Sequence, residues 1–236
     1  MKACVANIVL LALATVPATA QDMGTQLWLD YDLNHPLKGP FLLELETSYQ
    51  TLLSKEGKWR SISVTPTVEY TVSKIAELVF EVPFAYTFQT DTVNTIEWKT
   101  SVGTGFHLRG DRMIEPRVTL KWESRFFKEQ DDNAYEKANR LRVKGDTRIR
   151  LRGRSHNNEK VWYARFEGEI FFVMDRDVSE RYANRARFSL GVEYRLNYYY
   201  RFEGIYMFQE SRNKLEHEGA VSQDNIIRLR FKHYFK

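Results

Sequence analysis

The chain has 236 residues, with 35 Lys and Arg against 31 Asp and Glu. That near balance argues against a general nucleic-acid binder. The one cysteine, Cys4, falls in the first few residues, so the rest of the chain holds no disulfide, no cysteine metal site and no thiol nucleophile.

The N-terminus reads MKACVANIVLLALATVPATAQD. Lys2, the apolar stretch from Ala3 to Val16 and the small-x-small Ala18-Thr19-Ala20 have the form of a secretory signal peptide over residues 1–20, which leaves 21–236 as one domain. The apolar run is too short for a spanning helix. Charge is uneven along the remainder: residues 21–110 hold 7 bases and 11 acids, residues 111–236 hold 27 bases and 20 acids.

The dominant signal is alternation with a period of two, the mark of strands with one apolar and one polar face. A short segment comes first, at 26–32 (QLWLDYD). In 41–49, Phe41, Leu43, Leu45 and Tyr49 oppose Glu44, Glu46 and Ser48; in 61–70, Ile62, Val64, Val68 and Tyr70 oppose Ser61, Ser63, Thr65, Thr67 and Glu69. Residues 76–88 place Ala76, Leu78, Phe80, Val82, Phe84, Tyr86 and Phe88 on one face. Segments 98–108 and 114–126 follow, with Trp98, Val102, Phe106, Val118, Leu120 and Trp122 on the apolar side.

The segment 140–154, RLRVKGDTRIRLRGR, sets Arg140, Arg142, Lys144, Arg148, Arg150, Arg152 and Arg154 opposite Leu141, Val143, Ile149 and Leu151. Segments 162–174, 183–196, 198–208 and 227–235 complete the series, their polar faces carrying Arg165, Glu167 and Glu169, then Arg185, Arg187, Glu193 and Arg195, then Arg201 and Glu203, then Arg228, Arg230 and Lys232. These segments run to about ten to sixteen residues, whereas strands of soluble sandwiches average about five or six. The longer span matches a tilted strand crossing a bilayer.

Longer polar connections near 50–58, 90–95, 129–136, 175–181 and 210–224 alternate with tighter ones near Ser73-Lys74, Gly110-Asp111 and Leu196-Asn197 and a medium one at 153–159, the rhythm of external loops and periplasmic turns. Trp59, Trp162, Tyr182 and Tyr198 fall toward segment ends, as interfacial girdles require. The expected fold is therefore all-β: a single antiparallel up-and-down transmembrane β-barrel of 10–12 strands. Ten long segments and the short one at 26–32, with the even numbers usual in single-chain bacterial barrels, suggest ten or twelve.

With its Trp-bearing first segment QLWLDYDL followed by the acidic FLLELETSY, the chain resembles a domain-of-unknown-function family of bacterial outer-membrane β-barrel proteins. In size and strand rhythm it is also similar to small oligogalacturonate-type porins. The resemblance implies an exported protein whose partners are outer-membrane lipid and the barrel assembly machinery. Such barrels usually end in an aromatic residue; RLRFKHYFK keeps the alternation to Phe235 and adds Lys236.

In such a barrel the polar faces line the lumen. The expected lumen-lining or solute-contacting residues are Arg142, Lys144, Arg148, Arg150, Arg185, Arg187, Arg228, Arg230, Glu44, Glu46 and Glu69. The acidic early strands are expected to face the basic later ones across the lumen. Either the charges close on each other and plug the barrel, or they line a narrow pathway in which guanidinium groups favour small anionic solutes.

Catalytic, metal and cofactor sites are not expected. The alternative is an outer-membrane hydrolase with a rim active site, but adjacent Ser155-His156 would point to opposite faces of a strand, and Glu167, Glu169 and Arg165 read as ion pairs. The loop EQDDN at 129–133 lacks the spacing of a calcium loop. Gly103-Thr104-Gly105 reads as a bend in the barrel wall. A soluble lipocalin-like barrel is weakened by the large aromatics of the outward faces, which would leave an apolar belt in water.

Overall fold

The computed structural model describes residues 24–53, 59–88, 94–108, 113–130, 134–152, 159–174, 183–212 and 221–235. The expected signal peptide lies outside them. Twelve strand segments follow in order: β1 (Gly24–Pro36), β2 (Phe41–Leu52), β3 (Arg60–Ser73), β4 (Ala76–Glu81), β5 (Phe84–Phe88), β6 (Thr95–His107), β7 (Ile114–Glu129), β8 (Glu136–Arg152), β9 (Val161–Val173), β10 (Ala183–Arg195), β11 (Tyr200–Arg212) and β12 (Val221–Tyr234). Every strand pairs on both sides, and the sheet closes on itself.

β4 and β5 are two halves of one crossing. The pairs Val64↔Phe84 and Thr67↔Glu81 keep one register against β3, and Phe84↔Trp98 and Glu81↔Ser101 keep one register against β6. The break falls at Val82-Pro83, where Val82 N donates to the Pro66 carbonyl at 3.1 Å. Two prolines on adjacent strands at one level each lack an N–H, so the ladder thins there without slipping. The barrel thus has eleven crossings.

The odd number follows from the segment expected to be short. β1 is a full strand of 13 residues. Successive crossings alternate in direction, so the first and the eleventh point the same way and must meet in parallel. β1 and β12 do so from Gly24↔Asp224 to Asn34↔Tyr234, while all other pairs are antiparallel. The wall is therefore up-and-down throughout except at one parallel seam.

The shortest connections, 37–40, 74–75 and 196–199, share one end of the barrel, called here the turn end; the other is the loop end. Gly39 takes the left-handed conformation (φ 77°) that such a turn needs. In the turn at 196–199, the Asn197 carboxamide oxygen accepts from the N–H groups of Tyr199 and Tyr200, each at 2.8 Å.

Alternation sorts the side chains as the sequence implies. Leu29, Tyr31, Ile62, Phe80, Val102, Leu120, Trp122, Phe166, Ile170, Phe188, Phe202, Ile227 and Leu229 are all exposed on the outer face. The most deeply buried side chains, including Asp32, Glu193, Tyr163 and Val161, point inward. The molecule is inside-out relative to a water-soluble domain, with a charged interior and an apolar exterior. Near the turn end an aromatic patch crosses the seam on the outside: Phe231 lies 5.7 Å from Tyr31, 5.8 Å from Tyr200 and 5.0 Å from Phe202, ring centre to ring centre, and the Tyr31 hydroxyl meets His233 Nδ1 at 3.1 Å.

Candidate functional site

The seam places opposite charges in register. Asp30 and Asp32 of β1 lie beside Arg230 and Lys232 of β12, and period two turns all four inward. Arg228 bonds Asp30; Arg230 reaches Asp30 at 3.5 Å, Asp32 at 3.4 Å and Glu203 at 3.3 Å; Arg228 and Arg230 reach Glu46 at 3.1 and 3.6 Å. The acidic N-terminal part and the basic C-terminal part of the chain thus meet side by side where the barrel closes. Glu44 and Glu69 also face the lumen; Arg117 holds Glu69 at 3.4 Å.

The basic row of β8 shares the lumen with the early acids, as expected, but is not paired with them. Its partners are acids on the flanking wall. Arg140 bonds Glu123 of β7; Arg142 bonds Glu123 at 3.3 Å and Glu169 of β9 at 2.6 Å; Lys144 bonds Glu167 at 3.0 Å; Arg148 bonds Glu115 at 2.9 Å and Glu193 of β10 at 3.2 Å. Side chains on neighbouring strands are about 5 Å apart, so long bases reach the next strand, or the one beyond, before they can span the lumen. Arg165 extends the lattice to Glu167 at 2.8 Å and Glu203 at 2.6 Å. Arg187 donates to Gln209 at 2.6 Å and stands 3.8 Å from Glu169.

Arg150 is the exception in the row. It is 8% exposed, and its Nε and Nη2 have no hydrogen-bond partner among the described residues. Arg185 has only its backbone described, and Arg154, Ser155 and His156 lie outside the described residues.

The glycines at 103 and 105, expected to mark a bend, also leave space for side chains of the flanking strands. Both face inward on β6, between β4 and β7. A Cβ on Gly105 would sit 2.6 Å from a Glu77 carboxylate oxygen and 3.1 Å from Arg117 Nε; one on Gly103 would sit 2.6 Å from Cγ of Lys121. The missing side chains open two gaps. Through them Glu77 of β4 bonds Arg117 of β7, and Glu81 of β4 bonds Lys121 of β7, each pair passing over β6. His107 Nε2 meets the other Glu77 oxygen at 2.8 Å.

Inside the lattice lies a lumenal cavity of about 790 Å³. One side is charged, with Arg140, Arg142, Lys144 and Arg187; the opposite side is small and neutral, with Ser61, Ser63, Thr65, Thr67, Ala85 and Thr87. Its lining runs from Leu52 and Trp59 at the loop end to Glu44, Glu69, Arg117 and Lys232 in the turn-end half. The turn end is filled on the β8–β12 side by Tyr163, with Arg148 over its ring at 4.6 Å, and by Tyr234, with Arg201 over its ring at 4.2 Å. The cavity thus runs along most of the lumen, from the loop end into the turn-end half.

Two parts of this site are absent from the residues expected to form it. Asp30 and Asp32 belong to the segment read as short. The hydroxyl wall carries no charge; its signal was the uninterrupted Ser/Thr parity of 61–67. Trp28, the one inward Trp of β1, packs with Met207 and Ile226 in an apolar cluster under Arg187 and Arg228.

A closed barrel with an apolar exterior, an ion-paired interior and a lumenal cavity fits the class of outer-membrane-type β-barrels. Within that class, residues 25–219 match the family described as "Protein of unknown function (DUF2490)", and the chain belongs to that family. No curated protein matches it.

Proposed function

We propose that the protein is an outer-membrane β-barrel that serves as a narrow, porin-like pathway for small anionic solutes. The observation that carries the membrane placement is the outer face: every crossing exposes large aliphatic or aromatic side chains there. Such a continuous belt is stable in hydrocarbon and a liability in water.

The cavity supports the pathway. Its volume lies within the range of ligand pockets, about 300–1,000 Å³, and its charged side presents Arg142, Lys144 and Arg187. These bases are held by Glu123, Glu167 and Glu169, so an entering anion exchanges with a carboxylate already in place. That exchange makes the pathway selective and slow rather than open and fast. The ion-pair lattice also supports a second reading, a charge-plugged structural barrel in the same membrane.

Planar-bilayer recording of the purified protein under a salt gradient separates the two. The expected result is a small conductance with a reversal potential of anionic sign. Absence of conductance at any applied voltage selects the plugged barrel, and a cationic reversal potential overturns the anion pathway. No geometry described above favours the hydrolase alternative, since the ring of His107 is engaged by Glu77.

A further inference from the structure

At the turn-end part of the seam, acids outnumber the bases that can serve them. Asp30, Asp32, Glu44 and Glu46 face Arg228, Arg230 and Lys232. Arg230 is spread over four carboxylates at 3.3 to 3.6 Å, all longer than the roughly 2.7–2.9 Å of a committed charge-assisted bond. Lys232 lies nearer Glu203, at 3.1 Å, than Asp32, at 3.9 Å. Arg117 is committed to Glu69 and Glu77. Glu44 has no ion pair or side-chain hydrogen bond among the described residues.

The register brings three of these acids to one place. Asp32 lies opposite Glu46, and Asn34 opposite Glu44, all facing inward. One carboxylate oxygen from each of Asp32, Glu44 and Glu46 lies within 4.8 Å of the others.

A separate observation points to something bound there. Asp32 is 1% exposed, yet its Oδ1 is buried without a hydrogen-bond partner; Asn34 is 3% exposed, and its Nδ2 is likewise without one. Two orphaned polar atoms on adjacent inward positions of one strand are costly, about 1–3 kcal/mol each. Other lumenal atoms lack a partner as well, Arg150 Nε among them, but these two lie beside three carboxylates that no base neutralises fully.

We propose that Asp32, Glu44 and Glu46 bind a calcium ion, with Asn34 as a neighbouring fourth oxygen donor. Calcium takes carboxylate and carboxamide oxygens at about 2.3–2.6 Å, so oxygens up to about 5 Å apart can share it. Magnesium, at about 2.0–2.1 Å, needs a tighter set. The ion supplies the positive charge that Arg230 cannot deliver to four acids, and it gives Asp32 Oδ1 a partner. Turning the Asn34 amide over, a change that leaves its shape the same, presents its carbonyl oxygen to the ion. Access is from the lumen, because Glu44 and Glu46 line the cavity. The site does not rest on the pathway reading, since a barrel without conductance would bind calcium equally well.

The test is isothermal titration of calcium chloride into the detergent-purified, chelator-treated full barrel at constant ionic strength. One calcium per barrel is expected, with half-saturation on the order of 0.1–1 mM, as in extracellular calcium modules. Magnesium should bind at least tenfold more weakly, and Glu44→Gln, which breaks no ion pair, should weaken calcium at least tenfold. Calcium should also raise the urea midpoint of the wild type and not of that variant. No saturable calcium heat in the wild type, or unchanged binding in a Glu44→Gln barrel that keeps its heat-modifiable gel migration, overturns the proposal. Should that variant not fold, Asn34→Ala provides the second comparison, where weakened calcium binding is expected and unchanged binding overturns the proposal.

Discussion

Gly105→Ala is the sharpest perturbation of the lumenal lattice, because it adds one carbon at a known place. That carbon would lie 2.6 and 2.9 Å from Oε1 and Cγ of Glu77 and 3.1 Å from Arg117 Nε. Nothing there is free to yield, since Glu77 is also held by His107 at 2.8 Å. The Glu77 carboxylate must swing off Arg117. A hydrogen bond to a charged group contributes about 1.5–3 kcal/mol, and replacing a strand glycine by alanine gains about 0.5–1 kcal/mol in backbone entropy. The balance is a net destabilisation of about 1–2 kcal/mol.

The structure supplies its own control in Gly168, where an added Cβ meets nothing within 4 Å. Gly168→Ala should therefore stabilise by about 0.5–1 kcal/mol. Reversible urea unfolding in lipid vesicles, followed by tryptophan fluorescence, measures both. In a cycle with Glu77→Ala, the alanine at 105 should lose its penalty, since the group it displaces is gone. Equal shifts for Gly105→Ala and Gly168→Ala, or full additivity with Glu77→Ala, would refute the view that these glycines are gaps for cross-strand ion pairs.

Further outcomes follow from the same geometry. Arg230→Met, which strips a base from four seam acids, should destabilise by about 3–5 kcal/mol, clearly more than Arg187→Met in the same unfolding assay. Leu229→Arg, at mid-height on the outer face, should cost about 2–4 kcal/mol in lipid vesicles, against about 0–1 kcal/mol for Phe235→Arg beyond the strand end; equal costs would argue against a bilayer around the belt. Glu169→Gln, which releases Arg142 and Lys144 from one acid, should move the reversal potential further toward anions in bilayer recordings, and a move toward cations would contradict the exchange mechanism.

The faces of the wall were legible in the sequence. RLRVKGDTRIRLRGR shows why: a strand turns successive side chains to opposite sides whatever surrounds it, so Arg142, Lys144 and Arg148 had to share a face with one another and not with Leu141 or Val143. The same local rule carried the parity of 76–88 across the proline break. It could not number the crossings, because whether 26–32 is a lead-in or a full strand depends on β12, some two hundred residues away, pairing along it.

The partners of the charges were likewise out of reach. The opposition of acidic and basic parts suggested facing walls, yet Arg142 meets Glu123 and Glu169 on the strands beside it, while the early acids meet the late bases through the parallel seam. The gaps at Gly103 and Gly105 have meaning only once Glu77 and Arg117 flank them. Period two, the charged interior, the apolar exterior and the length of the strands are thus properties of the chain read locally. The odd count, the seam, the pairing of each base and the cavity left between them belong to the closed sheet alone, because register and closure fix which distant residues come within reach.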